Sequence, residues 1–306
     1  MAKVPIHFIG FVANVDDSIT RLRLHDGFMI QEKRKPYNEV SPFFDRIKFQ
    51  YGLTGALPLA FDAWTGYSYI TKPSITEFEG VPGVRAIPQA FALMSGLADS
   101  PRNQLRLLRL FKEGNPIMRY AFLYYEKDQG VEITNVAEER PIADNTQFAL
   151  ADAEIPEAQV FIDEHRLPFT DSFIQLAFES FDLSYEIPEP GLAFLSLMIA
   201  MEALFSPKDN YSEITHRISR NTAVLLGKDQ EDGAKVFEDM KDLYKKRSKI
   251  VHQGKRAAVT RQDVLKLRQY VRETIKEAIK SGMSKDALLD TLNSCGFGRR
   301  PWRAEQ

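Results

Sequence analysis

The hydrophobic positions of this chain follow two different periods. In the first half they fall in short runs of β-branched and aromatic residues, PIHFIGFVAN (5–14), TRLRLHDGFMIQ (20–31), YSYIT (67–71) and MRYAFLYYEK (118–127). That composition favours strands. DDS (16–18) and HDG (25–27) supply turn residues between them. Three other stretches, PFFDRIKFQYGL (42–53), PQAFALMSGLA (88–98) and PRNQLRLLRLFKEG (101–114), have helical spacing. The last is expected to start with Ser100 as N-cap and Pro101 at the first helical position. Isolated helices among strands make no regular βαβ series, so residues 1–165 are expected to form a mixed α+β domain. Residues 141–168, with Pro141, Pro156 and Pro168 among polar stretches, read as a connection.

Beyond this connection the period becomes helical. TDSFIQLAFESFDLSY (170–185) has apolar residues at 173, 174, 176, 177, 178 and 181. LAFLSLMIAMEALF (192–205) is apolar nearly all round, as a core helix is. YSEITHRISRNTAVLLG (211–227) places Ile214, Ile218 and the 223–226 run on one side. From Ala234 a fourth stripe comprises Val236, Phe237, Met240, Leu243, Tyr244, Ile250 and Val251. In TRQDVLKLRQYVRETIKEAIKSG (260–282), Val264, Leu267, Val271, Ile275 and Ile279 are in phase, and Thr260 can cap the start. Five consecutive helices with short links predict an all-α bundle over 166–282. A short helix, SKDALLDTLNSC, and a basic tail ending GRRPWRAEQ occupy 283–306.

The fourth stripe has one charged member. Position 247, four after Leu243 and three before Ile250, is Arg247. An arginine on an apolar stripe is costly unless it is paired or lines a cleft. His252 follows after four intervening residues, and Gly254 reads as the helix stop. Arginine clamps a phosphate through a planar, permanently charged fork, and histidine as a class exchanges protons near neutrality. Together they suit RNA cleavage. The structural alternative is that His252 complements the helix dipole while Arg247 extends its head into water. Five residues along an ideal helix turn a side chain by about 140°. Both groups therefore face one phosphate only if the helix frays near His252 or a second copy supplies one of them.

Charge supports a polyanionic substrate. Residues 1–207 hold 18 Lys and Arg against 28 Asp and Glu, whereas 208–306 hold 22 against 14. Residues 241–256 alone contain seven basic residues and one acid, the footprint a nucleic acid needs. A solvated lysine-rich helix face is the bland counterpart. At 306 residues and 44% hydrophobic composition, two domains with sizeable cores are expected. One cysteine, Cys295, excludes an internal disulfide and a multi-cysteine metal site. The longest apolar run, 191–205, is too short for a membrane span and contains Glu202. The N-terminus lacks signal-peptide organisation, so the expectation is a cytoplasmic protein. No Gly-rich phosphate loop, zinc-ligand spacing or Ser-His-Asp arrangement stands in the sequence, and no cofactor is expected.

MEALF, EITHRISRNTAVLLG and DLYKKRSKIVHQGKR, in that order, resemble a HEPN domain of the ApeA-like group. The likeness covers about the last 115–135 residues. It implies an α+β domain followed by an all-α HEPN-type helical bundle, and a ribonuclease site built across a homodimer or larger even assembly. Arg247 and His252 carry over as the catalytic pair. Ser248 stands where relatives place a polar residue, and Glu202 matches an acidic position of the group. The structural alternative for Glu202 is an ion pair with a helical arginine such as Arg217 or Arg220. Lys246, Lys249, Lys255 and Arg256 are expected to bind substrate, and Tyr244 to stack on a base or to fill the core. The implied reaction is metal-independent cleavage by the 2′-hydroxyl, with RNA as partner. The implied role is a microbial phage-defence effector or toxin, with a protein or phage-derived activator. The alternative is an inactive HEPN protein that binds RNA or a protein partner, as an antitoxin or dimerisation module does. The first domain resembles no family by its sequence.

Overall fold

The computed structural model describes residues 3–31, 68–79, 87–127, 130–136, 143–207 and 213–298. The expected helix at 42–53 and nearly all of the basic tail lie outside them. The chain divides into two compact units, Met1–Leu167 and Pro168–Gln306.

The first unit carries an antiparallel five-stranded sheet, β1 (Lys3–Ala13), β2 (Met29–Gln31), β3 (Ser68–Glu79), β4 (Ile117–Lys127) and β5 (Gly130–Val136), in the order β2-β3-β1-β4-β5. The central strand is buried on both faces, with Ile6, Phe8, Phe11 and Val12 inside. Within residues 20–31, read as strand with a turn at HDG, the turn is present and the strand is confined to its far side. Asp16 accepts from the Ser18 N–H at 3.0 Å and starts a 3-10 helix, Asp17–Arg21. Asp26 and Gly27 then adopt positive φ, and only Met29–Gln31 pairs with β3.

Helix α1 (Ile87–Phe111) packs against β4 and β5. It runs unbroken through Pro101, so the two helices read from the sequence are one. Ser100 is not its N-cap. Its hydroxyl donates to Asp26, and the Gln104 side-chain amide reaches back to the Ser100 carbonyl at 3.2 Å. Burial of Leu105, Leu107, Leu108 and Leu110 outweighs the backbone hydrogen bond that proline removes. Residues 141–168, read as a connection, contain helix α2 (Glu154–Glu164). Ile155, Ala158 and Ile162 are its buried stripe, and Pro156 stands in its first turn, where no N–H partner is lost. Strand β5 carries few of the signals of its neighbours and is defined by its pairing with β4.

The second unit is helical: α3 (Ser172–Leu183), α4 (Pro190–Phe205), α5 (Ile214–Leu226), α6 (Gln230–Gln253), α7 (Arg261–Ser281) and α8 (Lys285–Ser294). Helix α4 is the core element and touches each of the others. Its burial follows from its nearly uniform apolar composition, and Glu189 caps it through the Gly191 and Leu192 N–H groups. Helix α8 belongs to this unit, with Leu288 and Leu292 buried and Arg220 of α5 donating to the Leu292 and Cys295 carbonyls at 2.9 and 2.7 Å. The buried face of α7 contains two arginines beside its apolar residues. Arg268 donates to the Ser184 hydroxyl and carbonyl at 3.1 and 3.0 Å and lies 3.8 Å over the Tyr185 ring. Arg272 donates to the Tyr185 hydroxyl at 2.9 Å. These bonds serve the chain end of α3 and offset the desolvation of the guanidinium groups.

Candidate active site

Helix α6 begins at Asp229, whose carboxylate accepts from the Asp232 N–H at 2.8 Å. It remains regular to Gln253 and stops at Gly254, in the left-handed conformation with φ +66°. The Gly254 N–H donates to the Ile250 carbonyl at 3.0 Å, and the Lys255 N–H to that of Lys249 at 3.2 Å. This closure satisfies last-turn carbonyls and keeps His252 within ordered helix.

The buried stripe of α6 is Gly233, Val236, Met240, Leu243, Tyr244 and Ile250. Arg247 completes it. Its Nε lies 2.9 Å from Glu202 Oε1 of α4 in an ion pair, and each side chain is only 26% exposed. The Tyr244 hydroxyl donates to the same oxygen at 3.1 Å, and the Arg247 guanidinium lies 5.2 Å from the Tyr244 ring centre. Burial of Tyr244 pushes its phenol up to about 12, with the Glu202 charge adding to the shift and Arg247 opposing it. Tyr244 is therefore a neutral donor at physiological pH. At 5% exposure it is a core residue and offers no open face for stacking on a base.

The Arg247 guanidinium makes no hydrogen bond to a described residue; its partners there are the Glu202 charge and the Tyr244 ring. Glu202 thus holds the guanidinium by charge and leaves its N–H groups without hydrogen bonds to described residues. Glu202 does not pair with Arg217 or Arg220. Arg220 caps α8, and Arg217 lines a separate pocket against that helix.

His252 is exposed and has no hydrogen-bond partner among the described residues. The helix does not fray beneath it, so within one copy it diverges from Arg247 by about 140°. Ser248, Lys249, Lys255 and Arg256 are exposed around it. Val251, read as part of the buried stripe, is also exposed. Lys246 differs from these. Its Nζ donates to Asp263 Oδ1 at 2.6 Å, so it anchors α7 to α6.

Asp263 was not singled out by the sequence reading as part of the site, although Thr260-x-x-Asp263 is a legible cap. The Thr260 N–H donates to Asp263 Oδ2 at 2.9 Å and the Asp263 N–H to Thr260 Oγ1 at 3.3 Å. Burial raises the Asp263 carboxyl, but Lys246 and the Thr260 backbone and hydroxyl together hold it below the usual carboxylate value. Among the described residues no group of three or more His, Cys, Asp or Glu is arranged to hold a metal ion. Nor is any described helix long and apolar enough to cross a membrane. No protein-family model, curated protein or solved structure matches the chain.

Proposed function

We propose that the second unit is a metal-independent endoribonuclease whose active site is shared between two copies of the chain. One observation carries this reading. Arg247 is held by its ion pair with Glu202 and makes no hydrogen bond to a described residue, while His252 stands exposed on the same unfrayed helix, turned away from it. Across a two-fold axis, the arginine of one copy and the histidine of the other can meet at one phosphate. The resemblance to HEPN domains agrees with that arrangement. So do the exposed apolar residues Leu176 and Leu183 of α3, Leu192 and Ile199 of α4 and Val251 of α6, which a second copy would cover.

In this mechanism the RNA 2′-hydroxyl attacks its own phosphorus and the 5′-oxygen leaves. His252 takes the hydroxyl proton or gives one to the leaving oxygen. Arg247 holds the negative charge growing on the phosphoryl oxygens. The products are a 2′,3′-cyclic phosphate and a 5′-hydroxyl end. Lys249, Lys255 and Arg256 hold the flanking phosphates.

The test is cleavage of total RNA by the purified chain in EDTA. Arg247→Ala and His252→Ala should each lower the rate on the order of 100-fold or more, and a 2′-deoxy nucleotide at the scissile position should block cleavage. Full activity in the double variant would remove the assignment. So would loss of activity in EDTA with rescue by magnesium or manganese. A second reading, an RNA- or protein-binding module without catalysis, is favoured by the absence of an orienting partner for His252 among the described residues of one copy. In that case RNA is retained intact.

A further inference from the structure

The face of α6 that carries His252 continues toward the start of that helix. Each residue of an ideal helix turns by about 100° and rises by about 1.5 Å. Phe237, Lys241, Lys245, Ser248 and His252 therefore share an arc of about 80° along about 22 Å of helix. Lys245, Ser248 and His252 are exposed on it, and Phe237 and Lys241 are half-buried.

At the far end of this face three rings from three segments meet. The His216 ring of α5 lies 5.6 Å from that of Phe237, edge to face at 73°. The ring of Phe297, which follows α8, lies 6.0 Å from Phe237 at 40°. Gly233 permits this arrangement, because a Cβ there would come 2.8 Å from Phe297 Cβ, closer than packed carbons approach. Lys241 Nζ stands 5.7 Å from the centre of the Phe237 ring. His216 is exposed and makes no hydrogen bond to a described residue. Its neighbours restrict the ring, so little rotamer freedom is left to lose when a flat ligand stacks on it.

We propose that this cluster is a stacking subsite for one unpaired base of a single-stranded RNA, with His216 as the platform and the α6 face as the track to the scissile phosphate at His252. The proposal rests on the ribonuclease reading above. Every base has a π-face, so stacking on His216 tolerates any base. Bases inside a duplex are already stacked on one another, which makes the unpaired strand the substrate. Lys241 and Lys245 lie along the track. Each is paired with an acid three positions before it, Glu238 at 3.3 Å and Asp242 at 2.8 Å. Such exposed pairs are worth little, and backbone phosphates compete with those carboxylates for the lysines. At the stacked rise of about 3.4 Å per nucleotide, a track of about 22 Å holds about six nucleotides, and fewer when the strand is extended. An apolar segment of a protein is the other occupant that surface rings admit. The lysines and the register with His252 favour RNA.

Fluorescence anisotropy with the full-length His252→Ala chain, which leaves RNA intact, tests the subsite. The probe is a labelled single-stranded RNA longer than the track. In that background His216→Ala should weaken binding about tenfold, and His216→Phe, which keeps a flat ring, should retain it. Lys241→Gln should weaken binding less and flatten its salt dependence. All are surface changes, and a circular-dichroism melt checks each fold. An abasic nucleotide moved along the RNA should cost about tenfold at one position. That penalty should vanish in His216→Ala, since the same contact is then removed already. With His252 in place, His216→Ala should raise KM and leave kcat nearly unchanged. Unchanged affinity in His216→Ala, or an abasic penalty indifferent to His216, overturns the proposal even when the chain cleaves RNA. Equal loss in His216→Phe and His216→Ala, or duplex RNA bound as tightly as the single strand, also overturns it. Absence of RNA binding overturns it too and leaves the rings to a protein partner. A His216-dependent abasic penalty in a chain that does not cleave RNA keeps the stacking subsite and removes the ribonuclease reading.

Discussion

Glu202 Oε1 meets two groups on a helix more than 40 residues away in the chain, accepting from Tyr244 Oη and forming an ion pair with Arg247 Nε. Removing that acceptor strands a buried hydroxyl and a partly buried guanidinium. Glu202→Ala should destabilise the fold by about 1–3 kcal/mol, read from the denaturant midpoint. Cleavage should fall further than stability explains. Glu202→Gln keeps an acceptor oxygen and should recover most of the stability. Arg247→Lys should not support cleavage, because the point charge of an ammonium does not replace the planar fork. Tyr244 gives a pH dependence whose sign is definite. Its folded value of about 12 lies above the ordinary tyrosine value of about 10. Its contribution is therefore complete below about pH 10 and lost as pH rises through about 12. Tyr244→Phe should flatten that part of a stability-versus-pH curve, and an unchanged alkaline limb would show that the hydroxyl contributes nothing.

At the scale of elements, the start of α7 fixes the end of α6. The Thr260–Asp263 capping box and the Lys246–Asp263 bond join the helix that bears Arg247 to its neighbour. Thr260→Ala should cost about 1 kcal/mol, as loss of an N-cap does. The Asp263 carboxyl is held below its ordinary value in the folded chain. Its stabilising contribution is present above an unfolded value of about 3.9 and is lost as pH falls through the folded value. Asp263→Asn should remove that acid-sensitive part. Acid titration followed by circular dichroism checks it, and identical acid limbs in the two proteins would contradict the assignment.

For the molecule as a whole, the proposed reaction requires a second copy, because Arg247 and His252 diverge on one helix. Sedimentation should show an even assembly at the concentration that supports cleavage. Ile199→Asp puts a charge on the exposed apolar face of α4, where the variant chain alone can keep it hydrated. The variant should remain folded, dissociate and lose cleavage together. A monomer that cleaves RNA would end the shared-site reading. Mixing Arg247→Ala with His252→Ala should restore part of the activity, since some mixed assemblies regain one intact site.

The sequence alone determined which segments of the second unit are helices and where several of them start and stop. The 3.6-residue period, Thr260 and Gly254 act within a turn or two of themselves, and tertiary packing did not change them. The apolar surplus of 192–205 likewise sufficed to place α4 inside. The anomaly of Arg247 on an apolar stripe was legible as well, as a residue that needed a partner. Tertiary structure alone decided what that partner is, because the answer depends on how α4 and α6 are rotated about their own axes. The same holds for Lys246 and Asp263, for Arg217 facing α8, and for the two arginines within the α7 core. In the first unit, long-range contacts override local signals. A proline and a capping serine predict a break in α1, and the burial of four leucines carries the helix through it. Local preferences are worth about 1 kcal/mol or less for each residue, whereas burying one large apolar side chain is worth about 1.5–3. Packing therefore wins where the two disagree.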